Sequence, residues 1–215
     1  VMFIDQHLSE TVEQMRNLQL KKPDVAIIEA VAITEDGGIV PTTSVGNSAS
    51  FAIFAEKVIV EINTSLSPAF EGLHDIYIPT YRPTRQAIPL TQVDERIGTT
   101  AINIDPSKIV GIVINNEYHD SPSTVTEPDD ETQGIANHLI AFFEKEVAEG
   151  RLPKDLGPLQ AGIGSIANAV LTGLKDSNFE DLVMYSEVLQ DCTFELIDAG
   201  KMKFASGSSI TLSEK

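Results

Sequence analysis

Only one of the 215 residues is a cysteine, Cys192. That excludes an internal disulfide framework and a zinc site built from cysteines alone, and makes a reducing compartment, the cytoplasm, the expected location. Cations are scarce as well: 15 Lys and Arg stand against 32 Asp and Glu, a formal net charge of -17. Such a surface repels phosphate backbones and anionic headgroups, so neither nucleic acid nor a membrane surface is an expected partner. A small anion such as a nucleotide or CoA is not excluded, because backbone amides and helix N-termini hold one locally against an unfavourable global field. No apolar run reaches the roughly 20 residues that span a bilayer, and the start lacks the basic-then-apolar order of a signal peptide. His7, His74, His119 and His138 are scattered without HxxxH or HExxH spacing, so no metal site is expected. The start, Val1-Met2-Phe3, carries no initiator methionine, and the chain is expected to be a piece of a longer one.

With 42% hydrophobic and 22% charged residues the chain has the composition of a globular protein with a real core. Val25 to Ile33 is a nearly continuous apolar, β-branched run and reads as a buried strand; Asp36-Gly37-Gly38 turns the chain into Ile39-Val40. Ser48 to Lys57 has a serine cap and helical spacing, and Val58 to Ile62 is a second buried strand. From Ser65 to about Asp105 prolines break up any long helix, and an excursion of that length is often functional. Strand character returns at Lys108 to Ile114, a polar acidic connector follows from Ser121 to Asp130, and 132–148 is an amphipathic helix stopped by Gly150. A linker at Arg151-Leu152-Pro153 opens a second strand–loop–helix unit: Leu159 to Ala161, then Gly162-Ile163-Gly164, then a helix from Ser165 to Leu174. The strand Leu182 to Tyr185 ends at Ser186-Glu187, and Phe194 to Gly200 is a short helix. Strands alternating with helices predict an α/β fold of open, mainly parallel sheets with flanking helices.

Two features could carry chemistry. The loop Gly162 to Gly164 lies between a strand and a helix N-terminus, where glycines admit close backbone approach and negative charge is favoured; it is either an anion site or a simple tight turn, and as a dinucleotide fingerprint it fails at Ala167. Glu187 stands at the C-terminal edge of a predicted strand, where ligands collect in open α/β sheets, as a nucleophile, a base or a solvated strand-end carboxylate. His74-Asp75 adjoins the tyrosine-bearing Ile76-Tyr77-Ile78-Pro79, and Cys192 reads as small buried filler.

The order of segments resembles the acetyl-CoA hydrolase/transferase family, which includes succinyl-CoA:acetate CoA-transferases. The resemblance is carried by 24–30, 42–46, 57–63, 72–79, 96–99, Gly162-Ile163-Gly164-Ser165-Ile166-Ala167-Asn168-Ala169-Val170 and Tyr185-Ser186-Glu187-Val188-Leu189-Gln190-Asp191, covering nearly the whole chain. It implies that Glu187, in the family's Ser/Thr-Glu-Val-x-Gln-Asp strand end, attacks an acyl-CoA thioester, and that Gly162, Ile163, Gly164 and Asn168 form an oxyanion and CoA loop beside it. It implies CoA transfer between an acyl-CoA and a short-chain carboxylate of the acetate or succinate type, with acyl-CoA hydrolysis, or a catalytically incomplete CoA-binding piece, as alternatives. A nicotinamide-dependent oxidoreductase fits least. CoA enters as substrate, no cofactor is permanently bound, and a homodimer is expected. The fold would span parts of two related halves, with 1–150 the C-terminal part of the first CoA-transferase domain and 151–215 the start of the second. The family's chains are about twice as long, with glycine-rich segments upstream and downstream that this sequence lacks, so the chain taken alone is expected to fold without turning over.

Overall fold

The structure, a computed structural model, describes residues 3–116 and 128–213. His119 and most of the acidic connector lie outside the described residues. The chain forms two compact units, 3–90 with 96–116 and 91–95 with 128–213 among the described residues.

In the first unit the helix α1 (Glu10–Arg16) precedes β1 (Val25–Ile33), β2 (Ile39–Pro41), α2 (Ser48–Phe54), β3 (Lys57–Asn63) and β4 (Ile109–Asn115). The sheet order is β2-β1-β3-β4; β1, β3 and β4 run parallel and β2 returns antiparallel on β1. Strand alternation sends Ala26, Ile28, Ala30, Val58 and Val60 onto Ala49 and Ala52 of α2, together with Ile39 and Ile102. The opposite face is open over much of its length among the described residues: Val25, Ile27 and Glu29 alternate with the core residues and are exposed, and Val113 on the edge strand is 52% exposed, while Val31 is covered by Leu66 and Phe70; Ile112 and Ile114, which share the core face by their register with Val60 and Ile62, are 57% and 75% exposed as well. The runs of β1 and β3 are therefore buried mainly on one face, and β4 is largely exposed on both, a correction to the expected fully buried strands. Periodicity reports residue type, whereas the second face needs a second layer to bury it.

The proline-punctuated excursion is anchored at its neck. Ile76 bridges Thr99, and Ile39 bridges Ile102, in antiparallel pairs. The Asp75 carboxylate accepts from the amides of Ile97 and Gly98 at 3.1 and 2.6 Å, and Arg96 Nη2 lies 2.7 to 2.9 Å from the carbonyl oxygens of Gly72, Leu73 and His74.

The second unit holds α3 (Asp130–Ala148), β5 (Pro158–Leu159), α4 (Ser165–Asp176), β6 (Leu182–Leu189), α5 (Asp191–Asp198) and β7 (Met202–Ile210), with a parallel sheet in the order β5-β6-β7. Leu171 and Leu174 of α4, Leu182 and Met184 of β6, and Leu196 of α5 form its core. Ile140, Phe143 and Val147 place the apolar stripe of α3 on that same core. The compact units thus part ahead of α3, whereas the sequence reading divides the chain after it, between 150 and 151. The glycine that ends α3 marks a helix stop; the packing partner of the helix is what assigns it to a unit.

Candidate active site

Glu187 and the glycine loop both lie in the second unit, at the end of the sheet where β5 and β6 finish. Parallel register pairs Pro158 with Val183 and Leu159 with Met184, so Gly162 to Gly164, just past β5, leave the sheet at the edge toward which β6 carries Glu187. Leu182 and Met184 are buried under the helices, while Tyr185 and Glu187 are exposed. The strand continues to Leu189, so Glu187 is held within β6 and not at its end as expected from the sequence. Three apolar residues and a tyrosine set the beginning of the strand by pattern, but Ser186-Glu187 has none of that signal. The backbone is held instead by β7, whose parallel pairing continues from Ser186 with Gly207 to Leu189 with Ile210. Ser208 Oγ also donates to the Glu187 carbonyl at 2.8 Å.

The loop is exposed, with Ile163 at 73%. Gly164, the N-cap of α4, has φ +133, a backbone conformation that side-chain-bearing residues rarely adopt, so glycine is required there by geometry. Its carbonyl accepts from the Asn168 amide at 3.0 Å, the first bond of the helix. Asn168 itself is buried, and its Oδ1 faces the Cys192 Sγ at 3.6 Å. It joins α4 to α5, and its side chain is not among the exposed groups. Burial pushes the Cys192 thiol up from its ordinary value, consistent with filler and not with a nucleophile.

Two residues that sequence reasoning assigned no task connect the loop to the strand. Ser186 Oγ accepts from the Ala161 amide at 3.3 Å and donates to the Ala161 carbonyl at 3.0 Å. Gln190, 6% exposed, donates from Nε2 to the Gly162 carbonyl at 3.3 Å. The motif around Glu187 contained both, but nothing in its spacing says what a serine and a glutamine touch. Among the described residues no cluster of three or more His, Cys, Asp or Glu side chains could hold a metal ion, and no helix is long and apolar enough to cross a membrane. His74 lies in the first unit, where its Nε2 meets the Thr42 carbonyl at 3.0 Å.

An exposed carboxylate on a sheet edge beside a loop of free amides suits acyl transfer, and comparison with known proteins gives that geometry a family. Residues 1–114 match the acetyl-CoA hydrolase/transferase N-terminal domain. The chain belongs to the acetyl-CoA hydrolase/transferase family. It is 47% identical over 219 residues to an acetyl-CoA hydrolase of Schizosaccharomyces pombe, covering 99% of this chain and 42% of that protein. It is 46% identical over 211 residues to a succinyl-CoA:acetate CoA-transferase of Clostridium kluyveri, covering 98% of this chain and 39% of that protein. The chain therefore spans about two fifths of these relatives. Among solved structures, a 4-hydroxybutyrate CoA-transferase from Porphyromonas gingivalis superposes with a TM-score of 0.62 at 22% identity, over 98% of this chain and 45% of that one. RipA from Yersinia pestis gives 0.62 at 18% identity, over 99% and 45%. The expected α/β fold with parallel-rich sheets, like that of the CoA-transferases, is the fold observed.

Proposed function

We propose that the protein carrying this chain transfers CoA between an acyl-CoA and a short-chain carboxylate, acetate or succinate in type, with Glu187 as the covalent nucleophile. The observation that carries the reading is the placement of an exposed Glu187 on the same sheet edge as Gly162 to Gly164. A Glu187 carboxylate oxygen attacks the thioester carbonyl; the tetrahedral oxyanion collapses, the C–S bond breaks, and an acyl-glutamyl anhydride and CoA thiolate result. The thiolate then attacks the glutamyl carbonyl, forming a glutamyl-CoA thioester and releasing the first carboxylate. A second carboxylate reverses both steps. Each addition develops negative charge on one oxygen, which the amides of the 162–164 loop stabilise, a contribution of about 3–4 kcal/mol per well-aimed donor. Asn168 supports that loop through its amide, which donates to the Gly164 carbonyl. CoA enters as substrate, with no permanently bound cofactor.

A second reading, acyl-CoA hydrolysis, differs only in the last acceptor: water in place of a carboxylate resolves the glutamyl thioester. The exposure of Glu187 and the hydrolase names among the relatives favour keeping it. We also retain a homodimer and a cytoplasmic location as parts of this proposal. The test is mass spectrometry of a polypeptide carrying this chain at the length of its relatives, after exposure to acetyl-CoA and borohydride. A reduced side chain mapped to Glu187 supports the covalent route, and an unmodified Glu187 during turnover overturns it.

A further inference from the structure

We infer that Ser186 and Gln190 are positioning residues that aim the amides of Gly162 and Ile163 at the reacting centre, an inference that rests on the covalent reading of Glu187 above. The β5–β6 pairing ends at Leu159 and Met184. Continued in the same register, Ala161 falls opposite Ser186, and there the serine hydroxyl replaces the backbone ladder, satisfying both the amide and the carbonyl of Ala161. The next carbonyl, that of Gly162, is taken by the buried Gln190 amide. A trans peptide points its carbonyl and the following N–H in opposite directions. With the Ala161 carbonyl turned toward Ser186, the Gly162 N–H points away from it; with the Gly162 carbonyl turned toward Gln190, the Ile163 N–H points away in turn. Two successive amides are thereby turned away from the groups that hold the loop, and neither donates to a protein group among the described residues. Ser186 and Gln190 flank Glu187 at the preceding and third following positions, so one stretch of backbone carries the nucleophile and fixes the direction of its charge-stabilising donors. A buried glutamine at this position would otherwise be costly, since its amide needs partners that the core cannot give.

The experiment compares Ser186→Ala, Ser186→Thr and Gln190→Glu with wild type in the polypeptide of the relatives' length, measuring kcat and KM for acetyl-CoA and the rate of borohydride-trappable modification of Glu187. A misplacement of about 1 Å costs on the order of 10² in rate. Ser186→Ala and Gln190→Glu are expected to lower kcat by about ten- to a hundredfold with KM within about twofold, and Ser186→Thr, which restores the hydroxyl, to recover most of kcat. Retention of kcat within twofold in Ser186→Ala overturns the inference, as does an equal loss in Ser186→Thr. If wild type itself gives no mark on Glu187, the covalent reading fails separately; amide exchange of Ala161 in the 215-residue chain then decides the tether. Exchange at least tenfold faster in Ser186→Ala and restored in Ser186→Thr supports it, and unchanged exchange overturns it.

Discussion

Gly207 lies opposite Ser186 in the β6–β7 register, and it is the tightest packing constraint behind the candidate site. A Cβ built there would stand 2.9 Å from Leu189 Cγ, 3.3 Å from Leu189 Cδ2 and 3.4 Å from the Ser186 carbonyl oxygen. Carbon atoms settle at about 3.5–4.0 Å, so Gly207→Ala demands a displacement of about 0.6 Å or more from a leucine that is 6% exposed. Overpacking of this kind costs about 1–3 kcal/mol, offset by about 0.4–1 kcal/mol from the reduced freedom of the unfolded chain. The net is a loss of about 1–2 kcal/mol, or about 2–8 °C in the melting temperature of a domain this size. Thermal unfolding of the 215-residue chain, with Gly134→Ala on α3 as the comparison, reads it directly. Nothing lies within 4 Å of a Cβ at Gly134, and alanine there should raise stability by up to about 1 kcal/mol. Leu189→Val should be less harmful in the Gly207→Ala background than in the wild-type chain, because the two changes share one space. A Gly207→Ala chain that melts at or above the wild-type temperature would refute the close-packed register of β6 on β7.

In the first unit Gly98→Ala would put a Cβ 2.3 Å from the backbone carbonyl of Ile76, so the neck of the excursion must open. The Ile76 and Thr99 amides should lose exchange protection while the β1–β3 ladder keeps its own, and unchanged protection at Ile76 would count against the clasp. Burial raises the Cys192 thiol, which makes the folded state bind that proton more tightly than the unfolded state. Its contribution to stability is present below the ordinary thiol range of about 8.5 and is lost as pH rises through the folded value. At pH 8, iodoacetamide should modify the native chain at least about tenfold more slowly than the urea-unfolded chain, and equal rates would contradict the burial. Glu187→Asp, which withdraws the carboxylate by one methylene, should cost on the order of 10² or more in turnover at the relatives' length; full activity would show that its reach is immaterial.

The elements were legible where side-chain period and type agree. The nearly continuous apolar runs of Val25 to Ile33 and Val58 to Ile62, and the stripe Ile135, Leu139, Phe142, Phe143 and Val147, lead to β1, β3 and α3. Where structure is decided by a neighbour in space, the pattern ran out. The strand β7, Met202–Ile210, is rich in serine and glycine and is a strand because β6 pairs with it. The helix α5 starts at Asp191, three residues before the expected Phe194, because Gln190 supplies the extended residue ahead of it. The exposed face of β1 looks like core in sequence, since Val25 and Ile27 have the composition of buried residues whether or not a layer covers them. At the site, Glu187 and the glycine loop could be picked out as residue types at strand ends. The tethers of Ser186 and Gln190 depend on which carbonyls turn inward, and that lives in backbone direction alone.

Transfer and hydrolysis separate only at the last step of the proposed route. Over this chain the identities to a hydrolase and to a transferase, 47% and 46%, are nearly equal, so identity does not separate the two readings. In the proposed route the two reactions share the glutamyl thioester and differ in whether water or a carboxylate reaches it, which depends on how the site is enclosed. Glu187→Ala, in the polypeptide of the relatives' length, should therefore remove both activities together, each to below about a hundredth of wild type. General acid–base groups contribute about 10²–10⁴, and loss of the only atom that bonds to the acyl group should cost no less. The assay follows succinyl-CoA formation from acetyl-CoA and succinate for transfer, and free thiol released from acetyl-CoA without succinate for hydrolysis, beside a melting curve showing that the variant is folded. With the exposed position of Glu187, alanine there leaves no cavity, so stability should stay within about 0.5 kcal/mol of wild type. Succinyl-CoA formation that disappears while thiol release persists would mean that water attacks acetyl-CoA without Glu187. In that event the two reactions do not share an intermediate.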